Sequence, residues 1–164
     1  MILPTGRTFG MDGDNGRQFG IPSAGIASTD RPGAYGIIIL GDRVLIVATP
    51  AGLYLPGGGI GPGEAAEAAL RREVCEETGY EVVTTVALGA ARQYVGSGIN
   101  KIETFFLVSI AGEIVQNESD HRPLWLAVDE AIAGMAEEAQ GWALRRARAI
   151  AQGLDFAPEV GPTV

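Results

Sequence analysis

The segment 64–78 contains neither glycine nor proline, and it is the strongest single constraint on how this chain folds. It is rich in alanine, glutamate, arginine and leucine, which are residues of high helix propensity. Pro62 stands just before the segment and Gly79 directly after it, and these residue types commonly begin and end helices. The segment therefore predicts a helix over 64–78.

Three glutamates of this predicted helix, Glu73, Glu76 and Glu77, have the spacing i, i+3 and i+4. The spacing brings their carboxylates to one face, where like charges cost roughly 0.2–0.5 kcal/mol per pair. Negative side chains near the C-terminus of a helix are further destabilised by the helix dipole. One interpretation is an exposed charged face, partly neutralised by Arg71 and Arg72. The other is a site for a hard cation such as Mg²⁺, which binds carboxylates together with substrate phosphates.

A glycine-rich loop at 57–63 leads into the same helix. Because glycine has no side chain, backbone groups at Gly58 and Gly59 can approach a phosphate or a metal closely. The loop lacks the Gly-Lys-Ser/Thr of a Walker motif, and its glycine spacing does not fit the Rossmann fingerprint. By itself the loop is weak support for any one function.

The loop and the helix share a longer pattern of fixed spacing. Gly58 is followed after five residues by Glu64, and after seven more by the run 72–80, Arg-Glu-Val-Cys-Glu-Glu-Thr-Gly-Tyr. This pattern, from Gly58 to Tyr80, resembles the signature of the Nudix hydrolases. Seven fixed positions at background frequencies match by chance on the order of once per 10⁸ placements. Only Tyr80 departs from the signature, at a position that is usually aliphatic in the family.

The resemblance implies hydrolysis of a nucleoside diphosphate linked to another group, with water attacking phosphorus and Mg²⁺ or Mn²⁺ as the cofactor. It implies that Glu73 and Glu77 are the main metal ligands, and that Glu76 is a further ligand or positions the water. The backbone carbonyl of Gly57 would join them, and Arg72 would orient the carboxylates by charge-assisted hydrogen bonds. Glu76, Glu77 and Arg72 are thus candidate catalytic residues.

On the substrate side, the resemblance makes Gly58, Gly59 and Glu64 candidates for the phosphate-binding part of the site. Glu64 is expected to anchor the loop at the start of the helix rather than to act as the base. The substrate implied is a small nucleotide, either a nucleoside triphosphate or a nucleoside diphosphate derivative. No subfamily marker is evident in 87–100, so the sequence does not select one substrate.

A carboxylate outside the signature often completes the metal site or acts as the base in this family. The candidates are Glu103, Glu118 and Asp120. Glu118 is favoured because it lies just ahead of 125–131, a segment that resembles the strand-to-helix connection of the family. For each candidate the alternative is an exposed acid in a loop, and the base stays open among these residues, Glu76 and Glu77.

Apolar and β-branched runs predict strands at 36–40, 44–48, 54–56, 82–88, 92–95, 101–108 and 124–127. Later helices are predicted at 128–138 and 141–152. This mixture of hairpins and helices predicts an α/β (α+β) class with a mixed β-sheet. The resemblance implies a Nudix-like α/β/α sandwich.

The chain is expected to divide into three regions. Residues 1–33 are a glycine-rich extension in which two similar stretches, 7–10 and 17–20, flank turn-forming residues and predict a hairpin. Residues 34–154 would form the Nudix hydrolase domain, and 155–164 an irregular tail. The extension could contact a second copy in a homodimer, cover a sheet edge, or be a tail.

Charge and composition exclude several classes of partner. The chain has 12 Lys and Arg against 20 Asp and Glu, a net charge of −8, which disfavours binding to a nucleic-acid polymer. No apolar run approaches the roughly 20 residues needed to cross a bilayer, and the start lacks the pattern of a secretory signal. The single Cys75, expected to be buried, fits a reducing compartment, so we expect a cytoplasmic protein.

A second function class is a nucleotide-binding sensor that keeps the fold without catalysis. Such proteins usually have a damaged signature, whereas here all the acidic positions are present. Nucleotide binding without turnover would distinguish this class from an enzyme. His121, the one histidine, is expected to lie in a surface loop.

Overall fold

Strands from distant parts of the chain pair into two sheets. The computed structural model describes residues 17–114 and 120–153. Its elements are β1 (Arg17–Phe19), β2 (Thr29–Ile37), β3 (Ile39–Leu40), β4 (Arg43–Thr49), β5 (Gly52–Tyr54), β6 (Gly57–Gly59), α1 (Ala66–Thr78), β7 (Glu81–Tyr94), β8 (Ile99–Ala111), β9 (Arg122–Ala127), α2 (Val128–Gly134) and α3 (Glu138–Ala151).

Within the described residues, the first sheet has the strand order β1-β7-β8-β2-β6. It is mixed, because β1 pairs with β7 and β2 with β8 in parallel, whereas the β7–β8 and β2–β6 pairs are antiparallel. In the second sheet β4 pairs antiparallel with β3, β5 and β9. The mixed sheet predicted from the sequence is confirmed.

The two faces of the first sheet carry separate hydrophobic clusters. Tyr35 and Phe105 pack on the side of α3, and the neighbouring Ala34 and Phe106 pack on the side of α1, which contributes Leu70. The alternation follows from the two-residue side-chain period of a strand. Helices therefore cover both faces, which is the α/β/α arrangement expected from the resemblance.

Helix α1 covers most of the segment predicted to be helical. It begins at Ala66, two residues after the predicted start, and ends at Thr78 as predicted. Gly79 follows in the left-handed conformation, with φ +77°, and its N–H donates to the Cys75 carbonyl at 2.9 Å. This is the glycine stop signal expected from the sequence.

The glycine triplet at 57–59 was expected to be a loop, and the structure shows a strand instead. These residues form β6, which pairs with 33–35 of β2. Gly57 has φ +147°, and a Cβ at this position would lie 2.2 Å from the Ala34 carbonyl oxygen. Backbones this close require glycine, so here the triplet indicates tight pairing and not a turn.

Three further boundaries differ from the prediction. The expected strands 82–88 and 92–95 are one strand, β7, because Gly89 is absorbed in a β-bulge. The run 36–40 is divided at Ile38 between β2 and β3, which belong to different sheets. The strand expected at 54–56 lies slightly earlier, as β5. The strands predicted near 101–108 and 124–127 are confirmed as β8 and β9.

The predicted helix 128–138 is interrupted. Helix α2 ends at Gly134, and Met135 takes an extended conformation and forms a bridge with Leu53 of β5. A new helix, α3, begins at Glu138, three residues before the predicted start at 141. The break ties the α2–α3 connection to the second sheet.

Some predictions concern segments that the structure does not describe. The first arm of the N-terminal hairpin, 7–10, and the tail 155–164 lie outside the described residues, while the second arm contains β1 at the edge of the first sheet. The division into three regions therefore stays a prediction. No helix in the described ranges is long and apolar enough to span a membrane.

Candidate active site

The glutamates of α1 lie where the helix meets the sheet. Leu70 and Val74 face the sheet and are fully buried. Glu77 follows Val74 by three residues, so it lies on the same face and is 8% exposed. The Glu73 side chain is 19% exposed, whereas that of Glu76 is 50% exposed. The exposure of the three side chains thus increases from Glu77, next to the sheet, through Glu73 to Glu76, at the solvent.

Strand β6 approaches this helix through its glycines. The N–H of Gly57 donates to Oε2 of Glu77 at 3.0 Å. A Cβ on Gly58 would lie 2.6 Å from the Glu73 carboxyl carbon, so no larger residue fits there without displacing that carboxylate. The absence of side chains lets the β6 backbone lie directly against two of the predicted metal ligands.

Arg72 connects the loop to the acidic face of α1. Its guanidinium donates to Glu64 at 2.9 and 3.0 Å, to Glu73 at 2.6 Å and to the Gly59 carbonyl at 3.1 Å. Glu76 lies 3.5 Å away at the edge of the same group. A planar guanidinium can satisfy several acceptors at once, so Arg72 fixes the geometry of the loop and the carboxylates together.

Glu64 is strongly held in this network. Its hydrogen bond from Arg72, followed by that from the Gly61 N–H, lowers the pKa of the Glu64 carboxyl to about 2. The same pairing raises the pKa of Arg72. Glu64 is therefore anionic and already bonded, which fits the anchoring role expected for it and not that of a proton acceptor.

The donor set of α1 suits Mg²⁺ or Mn²⁺, although the carboxylates are not already arranged around an ion. Within 17–114 and 120–153, no three His, Cys, Asp or Glu side chains form a group that could hold a metal. The hydrogen bonds explain this, because Arg72 binds Glu73 and the Gly57 N–H binds Glu77. Carboxylate oxygens beside a side-chain-free strand are nevertheless the ligands that hard cations require.

A cavity of about 410 Å³ opens next to Glu77 and Gly57. This volume lies within the range of small-molecule binding sites. It combines aromatic and aliphatic walls with hydroxyl, imidazole and carboxylate groups. Its lining residues are Tyr35, Val47, Thr49, Pro50, Ala51, Tyr54, Leu55, Gly57, Glu77 and His121.

Two of the remaining acidic candidates, Glu103 and Asp120, lie on parts of the chain other than α1. Glu103 is fully buried in β8, where Oε1 accepts a hydrogen bond from Gln140 of α3 at 3.0 Å. Asp120 is an exposed residue of a turn. Glu118, which the sequence favoured, lies outside the described residues. A role of any of these as the base stays a prediction.

Glu103 has an unusual environment for a carboxyl group. Burial, and then the negative charge of nearby Glu137, raise the pKa of Glu103 to about 8. Lys101 forms an ion pair with Glu137 and partly offsets the effect. A hydrogen bond to Glu137, which a carboxyl group can donate only when it is protonated, also raises the pKa of Glu103. The carboxyl is therefore held in its neutral form at neutral pH.

Glu103→Gln is expected to stabilise the protein at pH 9 by more than about 1 kcal/mol. The ordinary pKa of a glutamate, 4.5, applies in the unfolded chain, while the folded value is about 8, so the folded state binds the proton more tightly. The wild-type contribution is fully present below about pH 4.5 and is lost as pH rises through 8. An amide does not ionise, and its oxygen can still accept the hydrogen bond from Gln140.

Urea unfolding of both proteins at pH 5, 7 and 9 measures this difference. The gap between variant and wild type should widen with pH. Exposed Glu81 of β7 provides the control, since Glu81→Gln should leave the pH profile unchanged. Parallel profiles for Glu103→Gln and wild type would show that Glu103 ionises normally in the folded protein.

One sequence expectation needs correction. Cys75 is exposed, not buried, because it directly follows buried Val74 and the helix turns it about 100° away from the sheet. His121 lies in a loop just before β9, as expected, and the structure adds that it is half-buried and lines the cavity. The cavity residues Tyr35 and Tyr54 were likewise missed, since no local pattern distinguishes them from core aromatics.

The sequence matches the family model for the NUDIX domain over residues 29–148. This range is well over half of the chain and contains the whole pattern from Gly58 to Tyr80. The chain belongs to the Nudix family. No curated protein matches the sequence. Membership of this family supports the interpretation that the protein is a Nudix hydrolase.

Several solved structures share the fold. A MutT NUDIX hydrolase from Burkholderia pseudomallei has a TM-score of 0.63 at 24% identity, covering 73% of this chain and 98% of that one. The E. coli ORF135 protein has a TM-score of 0.66 at 23% identity, covering 79% and 96%. A NUDIX hydrolase from Nitrosomonas europaea has a TM-score of 0.64 at 21% identity, covering 83% and 98%. These similarities show a common architecture.

Proposed function

We propose that this Nudix protein hydrolyses a nucleoside triphosphate or a nucleoside diphosphate derivative in a reaction that depends on Mg²⁺ or Mn²⁺. The observation that carries the proposal is the arrangement of Glu73, Glu76 and Glu77 on one side of α1, beside the glycine strand β6 and tied by Arg72. Repulsion between these carboxylates destabilises an isolated helix. The same negative charge favours binding of a divalent cation together with phosphates.

In the proposed reaction Glu73, Glu77 and the Gly57 carbonyl hold the cation, and Glu76 is a further ligand or the residue that positions water. The cation, when bound, would neutralise the charge that develops on the phosphate oxygens and lower the pKa of bound water. Glu76 is the most exposed of the three carboxylates, so it is best placed to accept the proton of the attacking water. Arg72 orients Glu64 and holds the Glu73 side chain beside the site.

The adjacent cavity would hold the rest of the substrate. Its walls include the rings of Tyr35 and Tyr54, against which a planar group can pack. Since Glu77 and Gly57 also border the cavity, a ligand in it lies next to the proposed metal ligands. Binding the uncharged part of the substrate there would place its diphosphate at α1.

Release of phosphate and pyrophosphate from a panel of nucleotides tests the proposal. The panel contains nucleoside triphosphates, nucleotide sugars, ADP-ribose and dinucleoside polyphosphates, each assayed with Mg²⁺, with Mn²⁺ and with excess EDTA. We expect turnover of one class that EDTA abolishes and added Mg²⁺ restores. Turnover unaffected by EDTA would contradict the role of α1, and calorimetric binding without turnover would favour the non-catalytic sensor.

A cytoplasmic location and a homodimer remain proposals from the sequence. The acidic charge still argues against a nucleic-acid polymer as partner. The free thiol of Cys75 is exposed, which is compatible with a reducing compartment. Sedimentation of the full chain would determine the oligomeric state.

A further inference from the structure

The hydroxyl of Tyr35 is a polar group at the cavity that has no hydrogen-bond partner among the residues that the structure describes. Tyr35 is 9% exposed and lines the cavity that also contains Glu77 and Gly57. Among residues 17–114 and 120–153, no side chain or backbone group forms a hydrogen bond with its hydroxyl. The hydroxyl oxygen is not among the fully buried polar atoms that lack a partner, so it is open to the cavity, where a ligand can accept its hydrogen bond.

The ring of Tyr35 is held firmly by its surroundings. A Cβ on Gly33 would lie 3.0 Å from Tyr35 Cε2 and 3.4 Å from the hydroxyl, and one on Gly57 would lie 2.8 Å from Cδ1. The ring also contacts that of Phe105, with centroids 6.2 Å apart. Two glycines thus make room for the ring, and the hydroxyl has a fixed position before any ligand arrives.

The position of Tyr35 in the cavity indicates which part of a substrate it can contact. A tyrosine hydroxyl is a neutral hydrogen-bond donor. In the proposed function the phosphates lie at a cation held by Glu73 and Glu77, so the part of the cavity lined by Tyr35 is left for the uncharged part of the substrate. The group that fits is an uncharged hydrogen-bond acceptor, such as a carbonyl oxygen or ring nitrogen of a base, or a sugar oxygen.

We propose that Tyr35 is a specificity-determining residue whose hydroxyl donates a hydrogen bond to the base or sugar of the nucleotide. The inference rests on the proposed function, because it takes the ligand of the cavity to be a nucleotide whose phosphates lie at α1. It adds a contact to the uncharged part of that substrate, made by a residue outside the pattern 58–80.

Calorimetric titration of the full chain compares nucleotides with a ligand that has phosphates alone. The probes are ATP, GTP, CTP, UTP, ADP-ribose and inorganic tripolyphosphate, each titrated with Ca²⁺ as the metal. Tyr35→Phe should raise the Kd of the best-bound nucleotide about 5- to 20-fold and leave that of tripolyphosphate within about 2-fold. In steady-state assays with Mg²⁺ the same variant should raise KM more than it lowers kcat.

Tyr94→Phe is the matched control. The Tyr94 hydroxyl donates to Gln18 at 3.1 Å, away from the cavity, so this variant should bind every probe like the wild type. Thermal unfolding serves as the structural check. Tyr35→Phe should unfold within about 2 °C of the wild type, because no hydrogen bond to the described part of the chain is lost with the hydroxyl.

The possible results separate the inference from the proposed function. Equal weakening of nucleotide and tripolyphosphate binding, or no change in either, would overturn the role of Tyr35. Wild-type protein that binds tripolyphosphate as tightly as every nucleotide would overturn it as well. Selective weakening of nucleotide binding together with a wild type that turns over no substrate would support Tyr35 and contradict the proposed hydrolysis.

Discussion

Glu77→Gln should lower kcat on the best substrate of the panel by at least about 100-fold. Glu77 is the most buried glutamate of α1, and we propose that it binds the metal. An amide oxygen carries no net charge, so it binds a hard cation much more weakly than a carboxylate oxygen does. The replacement keeps the size of the side chain, and its oxygen can still accept the Gly57 N–H, so the fold should survive.

Steady-state kinetics across a range of Mg²⁺ concentrations measure this effect. If Glu77 is a ligand, the variant should also need more Mg²⁺ to reach half of its own maximal rate. Glu67→Gln on the same helix is the control, because Glu67 contacts Arg71 and Thr85 on the exposed side and lies away from the cavity. It should retain activity within about 3-fold. An unchanged kcat for Glu77→Gln would contradict the mechanism.

The candidate site could be predicted from the sequence because its main residues are close together in the chain. Arg72, Glu73, Glu76 and Glu77 lie within two turns of one helix, so helical periodicity alone brings them together. The glycines that approach them are separated from the helix by one short loop. Local rules of spacing and capping therefore suffice to predict that these side chains are neighbours, and the structure adds the contacts of Arg72. Their roles in metal binding come from the family resemblance and stay a prediction.

The cavity could not be predicted in the same way because its residues come from distant segments. Tyr35 lies on β2, Tyr54 on β5 and His121 just before β9, and only the pairing of the strands brings them together. In the sequence Tyr35 looks like one more core aromatic at the start of an apolar run. Strand register, which sets the face of each side chain, is a property of the assembled sheets.

Some strand boundaries could not be predicted either, because they also depend on pairing with strands from elsewhere in the chain. The glycines at 57–59 follow the usual signal for a loop, but tertiary pairing with β2 makes them a strand. Gly89 was expected to separate two strands, because glycine usually signals a turn. In the structure it lies at a β-bulge within the single strand β7. In both cases glycine indicates an unusual backbone conformation. Whether that conformation is a turn, a bulge or a closely paired strand depends on the neighbouring strand.

Gly57→Ala should destabilise the fold by more than about 3 kcal/mol. Gly57 has φ +147°, which residues with a side chain rarely adopt, and the new Cβ would lie 2.2 Å from the Ala34 oxygen and 2.7 Å from Tyr35 Cα. Both atoms belong to the backbone of β2, so the steric clash can be relieved only if β6 moves away from β2. That movement would also withdraw the Gly57 N–H from Glu77, which links the stability of this strand to the geometry of the site.

Gly59→Ala is the matched control, since it adds the same methyl group two residues along the same strand. A Cβ at Gly59 meets no atom within 4 Å, so its free energy of unfolding should stay within about 0.5 kcal/mol of the wild type. Chemical unfolding of the three proteins gives both differences under one condition. Similar stabilities for the two variants would mean that β6 does not pair with β2 as tightly as described. A large loss confined to Gly57→Ala would show that the strand carrying a proposed metal ligand is fixed by its contact with β2.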